Sequence, residues 1–499
     1  MPLLDELTQP ISFKHANGEI QAFLHDLQGN ILKGHGRHNT ANIFCRFPAG
    51  KAAQAKAFLK GLVTGNMVRS AKSQLSDAAA FKAAKAVKEV LVTPAFYAVH
   101  LSKAGYDYLG IAQNKQPKDL AFQASMKNRV PERPFIQLHD PAPNQWETAY
   151  QQQYHAMVLI GETSGGKLQS EITRLMARIT AAGLITGGTY HNEIGSALFN
   201  DAGEGLENFG YVDGRSQPLM LIEDIQHEAM EMDGVDNWSP AFGPAQVVVD
   251  DPGVAEETAC GSYFVFRKLE QNVKKFKISE AALGTKLNLG EAAGALVVGR
   301  YEDGTPIAIS PVATQSAPVL NNFNYEHQPP NAISLPRGER CPFHGHVRKT
   351  NPRTDDTRSA TMARRGITYG ERGDTHLSSD GRTVLDEADN ADRPTGGIGL
   401  LFMSFQASIP DQFEVIQGLW ANNPGFPVTA PGQPIGIDPV IGQGPSIPQH
   451  WPKDRWGAEA TEAHDFYKVA TGTANNGPFV TMKGGEYFFA PSLSFFKSL

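Results

Sequence analysis

A segment in the C-terminal half, CPFHGHVRKTNPR at residues 341–353, concentrates side chains that bind metals and anions. His344 and His346 stand two residues apart within it, beside Cys341. Three cations follow closely, namely Arg348, Lys349 and Arg353. A zinc ion prefers imidazole and thiolate ligands. An iron porphyrin needs an imidazole for its metal and cations for its two carboxylates. The segment alone is compatible with either centre.

The zinc interpretation lacks further ligands. A zinc site needs three or four of them, and no C-x-x-C, H-x-x-x-H or H-E-x-x-H pattern occurs in the chain. The three cysteines, Cys45, Cys260 and Cys341, are far apart and do not indicate a disulfide framework. No C-x-x-C-H motif is present either, so a bound haem would not be attached through thioether bonds.

Two other segments contain polar side chains in contexts that could serve chemistry. ENFGYVDGRSQP, residues 207–218, contains Asp213 before a glycine, a dipeptide that by itself usually forms a turn. MARRGITYG, residues 362–370, places Arg364 and Arg365 at the start of a short predicted strand. Adjacent strand residues point to opposite faces, so one of the two arginines can face a pocket.

The composition excludes several classes of protein. The chain has 499 residues, of which 41% are hydrophobic and 19% charged, as expected of a globular protein rather than a disordered one. Its formal net charge is -7, so no overall positive field attracts nucleic acid. No apolar run approaches the length of a membrane span. The first residues do not resemble a secretory signal, so we expect a cytoplasmic protein.

The pattern of predicted strands and helices indicates an α+β fold. Residues from Asn42 to Gly195 read as β-α-β-β-α-β, the pattern of a ferredoxin-like unit with helices packed on an antiparallel sheet. A similar order recurs from Gly261 to the C-terminus. We therefore expect an N-terminal segment (1–40), a ferredoxin-like domain (41–205) and a second such domain (206–499). The Pro/Gly-rich residues 424–452 are expected to form a binding loop, a partner contact or a plain surface excursion.

Taken together, these motifs resemble the dye-decolorizing (DyP-type) haem peroxidases, in particular their larger, fungal-like branch. The G-x-x-D-G motif of that family is matched by Gly210–Gly214. Further matches are the segments 341–353, RRGITYG (364–370), GSYFVFRKLEQNV (261–273) and GGEYFFAPS (484–492). Their order and spacing also agree, so the resemblance runs from DLQGNI near the start to the last strand.

The resemblance implies roles for individual residues. His346 would be the proximal ligand of the haem iron, Asp213 the distal acid-base residue and Arg364 its distal partner. His344 stands where the family usually has a small residue, so it is an alternative ligand. Arg353 and Arg348 would contact the haem propionates, and Leu400 and Phe402 would wall the distal pocket. For the carboxylate that orients the proximal imidazole we expect Glu414, with Asp411 as the alternative.

The resemblance also implies the activity. We expect one non-covalently bound haem b per chain, held mainly by the C-terminal unit. Hydrogen peroxide would oxidise small or bulky aromatic donors, such as dyes and phenols, through an oxoferryl intermediate, and Tyr369 could relay electrons from the surface. The alternatives are a haem-binding, haem-transfer or iron-releasing protein with little turnover, and a non-haem metal or scaffold protein. Only the peroxidase needs Asp213 and Arg364.

Overall fold

The structure is a computed structural model. It describes residues 3–89, 91–129, 136–290, 292–314, 320–325, 341–373, 375–378, 382–387, 392–427, 435–445, 448–452, 461–467 and 478–499. Within these residues the chain forms an α+β fold around one large antiparallel sheet. The expected fold class is confirmed.

The N-terminal half supplies four strands of this sheet. They are β1 (Asn39–Arg46), β2 (Phe96–Ser102), β3 (Ala156–Glu162) and β4 (Thr189–Ser196). Helix α1 (Ala52–Thr64) follows β1, and helix α2 (Gly165–Ala181) follows β3. The strands lie in the order β2-β3-β1-β4, which is that of a ferredoxin-like unit.

The amino-acid pattern explains these elements. Strand β3, AMVLIGE, is rich in apolar residues and buried along its whole length, as expected of a central strand covered on both faces. Helix α2 carries one apolar stripe, and the buried members of that stripe are Leu168, Ile172, Leu175 and Ile179. The spacing of three or four residues puts them on one side of the helix, which packs on β1 and β3.

The C-terminal half repeats the arrangement. Its strands are β5 (Cys260–Gln271), β6 (Ile367–Tyr369), β7 (Gly399–Gln406) and β8 (Val480–Ala490). Helix α3 (Val273–Leu287) follows β5, and a helical segment from Ile409 to Ala421 follows β7. The strand order is β6-β7-β5-β8. In both units the order is second, third, first and fourth strand, counted along the chain. The weak repeat in the sequence is therefore a repeat of topology.

The two units share one sheet. Strand β8 pairs with β2, with Phe488 opposite Ser102 and Phe489 opposite Leu101. At the far ends the hydroxyl of Thr368 in β6 donates to the carbonyl of Ser196 in β4. The sheet therefore curls until its two outer strands meet.

The helix predicted from DQFEVIQGLWAN has an unexpected form. Residues Ile409–Phe413 and Val415–Ala421 are π-helical, whereas an ordinary α-helix was expected. π-Helical turns are rare and often lie at functional sites. Here the segment packs beside β5 and β7 and contributes to the wall of the cleft described below.

Shorter elements complete the described chain. The other α-helices are Leu3–Glu6, Gly18–Asp26, Ala71–Ala86, Lys103–Tyr108, Leu120–Ala124, Ile222–Glu231, Ala292–Val298, α4 (His346–Thr350) and Leu493–Ser498. The 3-10 turns are Gln113–Lys115, Met126–Asn128, Pro143–Gln145, Thr148–Gln151, Pro244–Gln246 and Asp355–Ala360. Short strands are Leu198–Phe199, Gly205–Leu206, Val249–Asp250, Ala363–Arg364, Thr375–Leu377, Val384–Glu387, Gln449–Pro452 and Thr461–His464.

The expected domain boundaries at residues 40 and 205 remain predictions. The pairing of β2 with β8 joins both units in a single sheet, so strand pairing does not mark a boundary between them. Of the Pro/Gly-rich segment 424–452, residues 428–434 and 446–447 lie outside the described part of the chain. Among the described residues, no helix is long and apolar enough to cross a membrane.

Substitution of Phe264 in β5 tests the packing between the two units. Its side chain is fully buried, and its ring stacks on His100 of β2 at 4.2 Å between centroids. We expect Phe264→Ala to lower the free energy of unfolding by about 3–5 kcal/mol, as large-to-small changes in a packed core do. Urea unfolding would measure the change. The control, Phe81→Ala, removes a ring that is 46% exposed, and it should change stability by no more than about 0.5 kcal/mol. Equal losses in the two variants would contradict this packing.

Candidate active site

A large cleft opens on one face of β5 and β7. Leu269 and Arg267 of β5 line it, and so do their register partners on β7, Leu400 and Phe402. The empty space, including the open mouth, measures about 1730 Å³. Leu400 and Phe402 thus line this cleft, and their assignment to a distal pocket remains a prediction.

His346 begins helix α4 and lines the cleft. Its Nδ1 lies 2.9 Å from Oδ2 of Asp438, whose side chain is fully buried. A carboxylate can only accept a hydrogen bond, so Nδ1 donates and the lone pair of the neutral ring is on Nε2. Among the described residues Nε2 has no hydrogen-bond partner. The imidazole can therefore offer Nε2 to a metal.

The Asp438 carboxylate also changes the basicity of this ring. Burial alone would lower the pKa of His346, but the charge of Asp438 and its hydrogen bond outweigh burial and raise the pKa above 6.5. A carboxylate on the far nitrogen makes an imidazole a stronger donor to a metal.

The expectation that Glu414 orients this imidazole is wrong. Glu414 is buried in an ion pair with Arg129, whose Nε and Nη2 donate to its two oxygens at 2.8 and 2.9 Å. The hydroxyl of Tyr487 donates to it as well, at 3.2 Å. The alternative, Asp411, is exposed and accepts from the Ser408 hydroxyl at 2.9 Å. Both carboxylates are thus engaged elsewhere.

Asp438 lies in the Pro/Gly-rich segment, and backbone groups hold it in place. Its Oδ1 accepts from the N–H groups of Val440 and Ile441 at 2.8 and 2.9 Å. Its own N–H donates to the carbonyl of Ala421 at 2.8 Å. This segment had been expected to be a binding loop, a partner contact or a surface excursion. In the structure it supplies a buried partner for His346 and lines the cleft with Val440 and Ile441.

Lys349 connects helix α4 to the same segment. Its side chain is fully buried, and its Nζ donates to the backbone carbonyls of Asn423, Phe426 and Gly436, at 2.9 Å to the first and 2.8 Å to the last. Burial lowers the pKa of Lys349 to about 7, partly opposed by the charge of Asp438. The carbonyls thus replace water around this ammonium and tie the loop to the helix that carries His346.

His344 points away from the cleft. It is buried and packs edge-on against Trp451, with ring centroids 4.3 Å apart. Burial lowers the pKa of His344 to about 3, with nearby Lys349 adding to the effect, so its ring is neutral. Of the two histidines in the HGH motif, the structure brings His346 to the cleft, and His344 has a packing role.

Asp213 and Arg364 meet at the cleft. Asp213 follows a narrow hairpin in which Leu206 bridges Val212. Its Oδ1 accepts from Nη1 of Arg364 at 3.0 Å and from the N–H of Gly214 at 2.6 Å. Gly214 has a φ of +88°, which favours glycine there. The Asp-Gly pair is therefore both a turn and the means by which the carboxylate reaches Arg364.

The charge of Arg364 controls the acidity of Asp213. Burial would raise the pKa of this carboxyl, but the guanidinium charge, the Gly214 N–H and the hydrogen bond from Arg364 together hold the pKa below 3.8. Asp213 is therefore ionised over the whole neutral and mildly acidic range.

The neighbouring arginine faces the other way. Nε of Arg365 donates to the carbonyl of Asn30 at 2.7 Å, and its Nη2 donates to that of Ile31 at 2.8 Å. Of the two adjacent arginines, Arg364 thus lines the cleft, whereas Arg365 is bound to backbone carbonyls. Arg365 fastens the N-terminal segment to the sheet.

Two buried guanidinium groups, Arg353 and Arg300, also line the cleft. Arg353 donates to the carbonyl of Asn321 and Arg300 to that of Leu320, each at 2.7 Å. Burial lowers the pKa of Arg353 to about 9 and that of Arg300 to about 10, and the charges of neighbouring arginines add to the effect; both groups remain charged at neutral pH. Among the described residues neither has a carboxylate partner. Their charge suits an anionic group in the cleft.

Arg348 does not fulfil its expected role. The described residues that line the cleft do not include it. Its Nη1 donates to the carbonyl of Cys341 at 2.5 Å, and its guanidinium lies 4.0 Å from the centroid of the Phe343 ring. The cleft has Arg300 instead, a residue that the sequence analysis missed because the surrounding GRYEDG has no distinctive spacing.

Tyr369 does not fit a surface relay. Its side chain is buried, and Nζ of Lys268 lies 5.0 Å from the centroid of its ring. Burial, reinforced by Glu270 and other nearby carboxylates, raises the pKa of Tyr369 far above its usual value.

The zinc interpretation finds no support among the described residues, where no group of three or more potential ligands is close enough to hold a metal ion.

Comparison with known proteins identifies the family of this chain. A sequence profile for the C-terminal part of Dyp-type peroxidases matches residues 230–425. The multifunctional dye peroxidase DyP2 of Amycolatopsis sp. (strain ATCC 39116 / 75iv2) is 41% identical, over 99% of both chains. The chain belongs to the DyP-type, or dye-decolorizing, peroxidase family. Accordingly it is a haem peroxidase.

Solved structures of this family share the whole fold. The structure of DyP2 from Amycolatopsis sp. superposes with a TM-score of 0.85 at 40% identity, covering 99% of this chain and 100% of that one. A DyP-type peroxidase from Anabaena sp. gives 0.83 at 35% identity, covering 98% and 97%. A deferrochelatase of Yersinia pestis bv. Antiqua (strain Nepal516) is 32% identical over only 95 residues, 19% of this chain and 18% of that one. The similarity to peroxidases is therefore far more extensive than that to iron-releasing proteins.

The family implies a haem cofactor, and the residues of the cleft fit one. His346 offers Nε2 with no partner among the described residues. Apolar side chains from β5, β7 and the π-helical segment line the space. Arg300 and Arg353 supply positive charge, and neither forms an ion pair with a described carboxylate. An iron ligand, apolar walls and cations for propionates are what this group requires.

The electrostatic link between Arg364 and Asp213 can be tested directly. Removing the guanidinium in Arg364→Gln should raise the pKa of Asp213, because the burial effect is then opposed only by the Gly214 hydrogen bond and the charge of His346. Infrared difference titration, with Asp213→Asn used to assign the carboxyl band, would measure the change. Arg174→Gln, which alters an exposed arginine on α2, is the control. An unchanged titration in Arg364→Gln would contradict the link.

Proposed function

We propose that one haem b per chain binds non-covalently in the cleft, with Nε2 of His346 as the iron ligand. Asp438 would hold the ring by its hydrogen bond to Nδ1, and Arg353 and Arg300 would pair with the propionates. The absence of a C-x-x-C-H motif supports non-covalent binding. Leu400 and Phe402 would restrict the access of water on the side that receives peroxide.

We further propose that hydrogen peroxide and aromatic reductants, such as dyes and phenols, are the substrates. When bound, the haem supplies the redox chemistry that links peroxide reduction to donor oxidation. The carboxylate of Asp213 would take the proton from the inner oxygen of peroxide and deliver it to the outer oxygen, which then leaves as water. Arg364 would keep Asp213 ionised and stabilise the negative charge that develops on the departing oxygen.

The observation that carries this proposal is the presence of two different sites in one cleft. A histidine backed by a buried carboxylate and an aspartate paired with an arginine both line it. Holding haem requires only the first site. Peroxide activation also requires a base that is already ionised, and the low pKa of Asp213 provides one.

Haem affinity tests the role of Asp438. In Asp438→Asn the ring of His346 loses an ionised partner, and we expect the affinity of the apo protein for haem to fall by about 10–100-fold, as for other partners of metal ligands. Spectroscopic titration of apo protein with haem would measure it. The matched control is Asp411→Asn, which should bind haem as the parent does. If the control lost affinity and Asp438→Asn did not, the assignment would be wrong.

Rapid mixing with peroxide tests the role of Asp213. In the haem-loaded Asp213→Asn variant we expect the rate constant for the reaction with peroxide to fall by about 10²–10⁴-fold, the usual contribution of a general acid-base group. Haem content should be unchanged. Asp201→Asn, in an exposed turn, is the control. A parental rate in Asp213→Asn would refute its role.

The same reaction has a predicted pH dependence. The base form of Asp213 is present above its pKa, and that pKa is held below 3.8. In the parent, the rate should therefore decrease on the acid side only at pH values below 3.8. In Arg364→Gln the pKa rises, so the loss of rate should move to higher pH, whatever the maximal rate. A stopped-flow pH series would measure the shift.

A further inference from the structure

A second carboxyl group lies in the cleft beside Asp213. Glu207 belongs to the same hairpin, since the bridge between Leu206 and Val212 places it on the strand opposite the one that leads to Asp213. Both side chains line the cleft, and Glu207 is partly accessible from it. The peroxide chemistry derived above uses Asp213 and leaves Glu207 without a role.

Hydrogen bonds hold the Glu207 side chain in one orientation. Its Oε1 accepts from the N–H of Tyr211 at 3.1 Å. Its Oε2 accepts from the N–H of Phe209 at 2.9 Å and from Nε2 of Gln271 at 2.6 Å. A carboxylate has about four acceptor positions, so one position remains, on Oε1. The group is thus fixed and still able to take a proton.

The surroundings of the two carboxyl groups shift their pKa values in opposite directions. Asp213 has Arg364 beside it, and its pKa is held below the usual value. Glu207 has no cation among its hydrogen-bond partners, and burial raises its pKa to about 7, with the charge of Asp213 adding to the effect and the three hydrogen bonds opposing it. Two carboxyl groups whose environments separate their pKa values in this way commonly have different catalytic roles.

We propose that Glu207 accepts the proton of a phenolic donor that is oxidised in the cleft. This rests on the proposed peroxidase function and names phenols, which lose a proton with the electron, as its preferred donors. In each step the O–H bond of the phenol breaks. The electron passes to the peroxide-oxidised enzyme, the proton passes to Oε1 of Glu207, and a phenoxyl radical leaves.

The proton balance closes over one turnover. Two phenols give up two electrons and two protons, and one peroxide takes up both pairs to form two water molecules. A group that receives protons from the donor and returns them to the cleft therefore matches the stoichiometry. Asp213 is less suited to this task because Arg364 makes it a weaker base, whereas a base with a pKa near the working pH is the most effective.

The test compares two reductants on the haem-loaded Glu207→Gln variant. 2,6-Dimethoxyphenol gives up an electron and a proton, whereas ferrocyanide gives up an electron alone. We expect the ratio of kcat/KM for the phenol to that for ferrocyanide to fall by at least tenfold. Glu19→Gln, which alters an exposed glutamate, should leave the ratio unchanged. An unchanged ratio in Glu207→Gln would overturn the proposal.

A separate measurement distinguishes this proposal from the peroxidase function itself. If the parent enzyme does not react with peroxide, the proposed function fails. If the parent reacts normally but Glu207→Gln slows the peroxide reaction as much as phenol oxidation, Glu207 acts only by holding the hairpin of Asp213. That result would also overturn the proposal.

A third readout uses the parent enzyme and therefore does not depend on the fold of the variant. In the parent enzyme, phenol oxidation should show an acid-side decline with an apparent pKa of about 7 that ferrocyanide oxidation lacks. It should also show a larger solvent deuterium isotope effect than ferrocyanide oxidation, in which the solvent supplies both protons. Infrared titration of the apo parent chain should likewise reveal a carboxyl group with a pKa of about 7. Identical profiles for the two reductants would exclude Glu207 as the proton acceptor.

Discussion

The hydrogen bond between His346 and Asp438 is the constraint on which the cleft depends. A buried carboxylate is costly unless its oxygens are hydrogen-bonded. Here the imidazole binds one oxygen, and the N–H groups of Val440 and Ile441 bind the other. The three carbonyls bound by Lys349 hold the loop that carries Asp438 against α4. The interaction thereby sets the ring orientation and one wall of the cleft together.

The charged groups that line the cleft have different partners. Asp213 is paired with Arg364, and Glu207 has neutral hydrogen-bond donors only. Arg300 and Arg353 bind backbone carbonyls, so their charge remains for a ligand. Because the surrounding protein is less polar than water, small differences in partners produce large differences in acidity. One cleft can therefore contain a carboxyl group with a lowered pKa, another with a raised pKa, and two guanidinium groups that form no ion pair with a described carboxylate.

The fold explains how distant segments reach this cleft. Two ferredoxin-like units form a continuous sheet through β2 and β8, and the cleft opens on the face of β5 and β7. The opposite face of β5 carries Phe264 and Phe266 into the main core. Because these rings hold the strands rigidly, side chains on the cleft face are fixed as well. This arrangement was predictable from the order of apolar runs, whereas the closure of the sheet and the π-helical segment were not.

The sequence by itself determined the strands, the repeated unit and the residues of compact motifs. Asp213, Arg364 and His346 stand in short segments whose order and composition resemble the motifs of DyP-type peroxidases, and that resemblance, rather than spacing alone, singled them out. Only the tertiary structure decided which partners they have. Asp438 is 92 residues from His346, in a segment without periodicity, and no local pattern could have favoured it over Glu414. The same limit applies to the arginines, because whether Arg300 or Arg348 faces the cleft depends on how distant segments pack around each side chain.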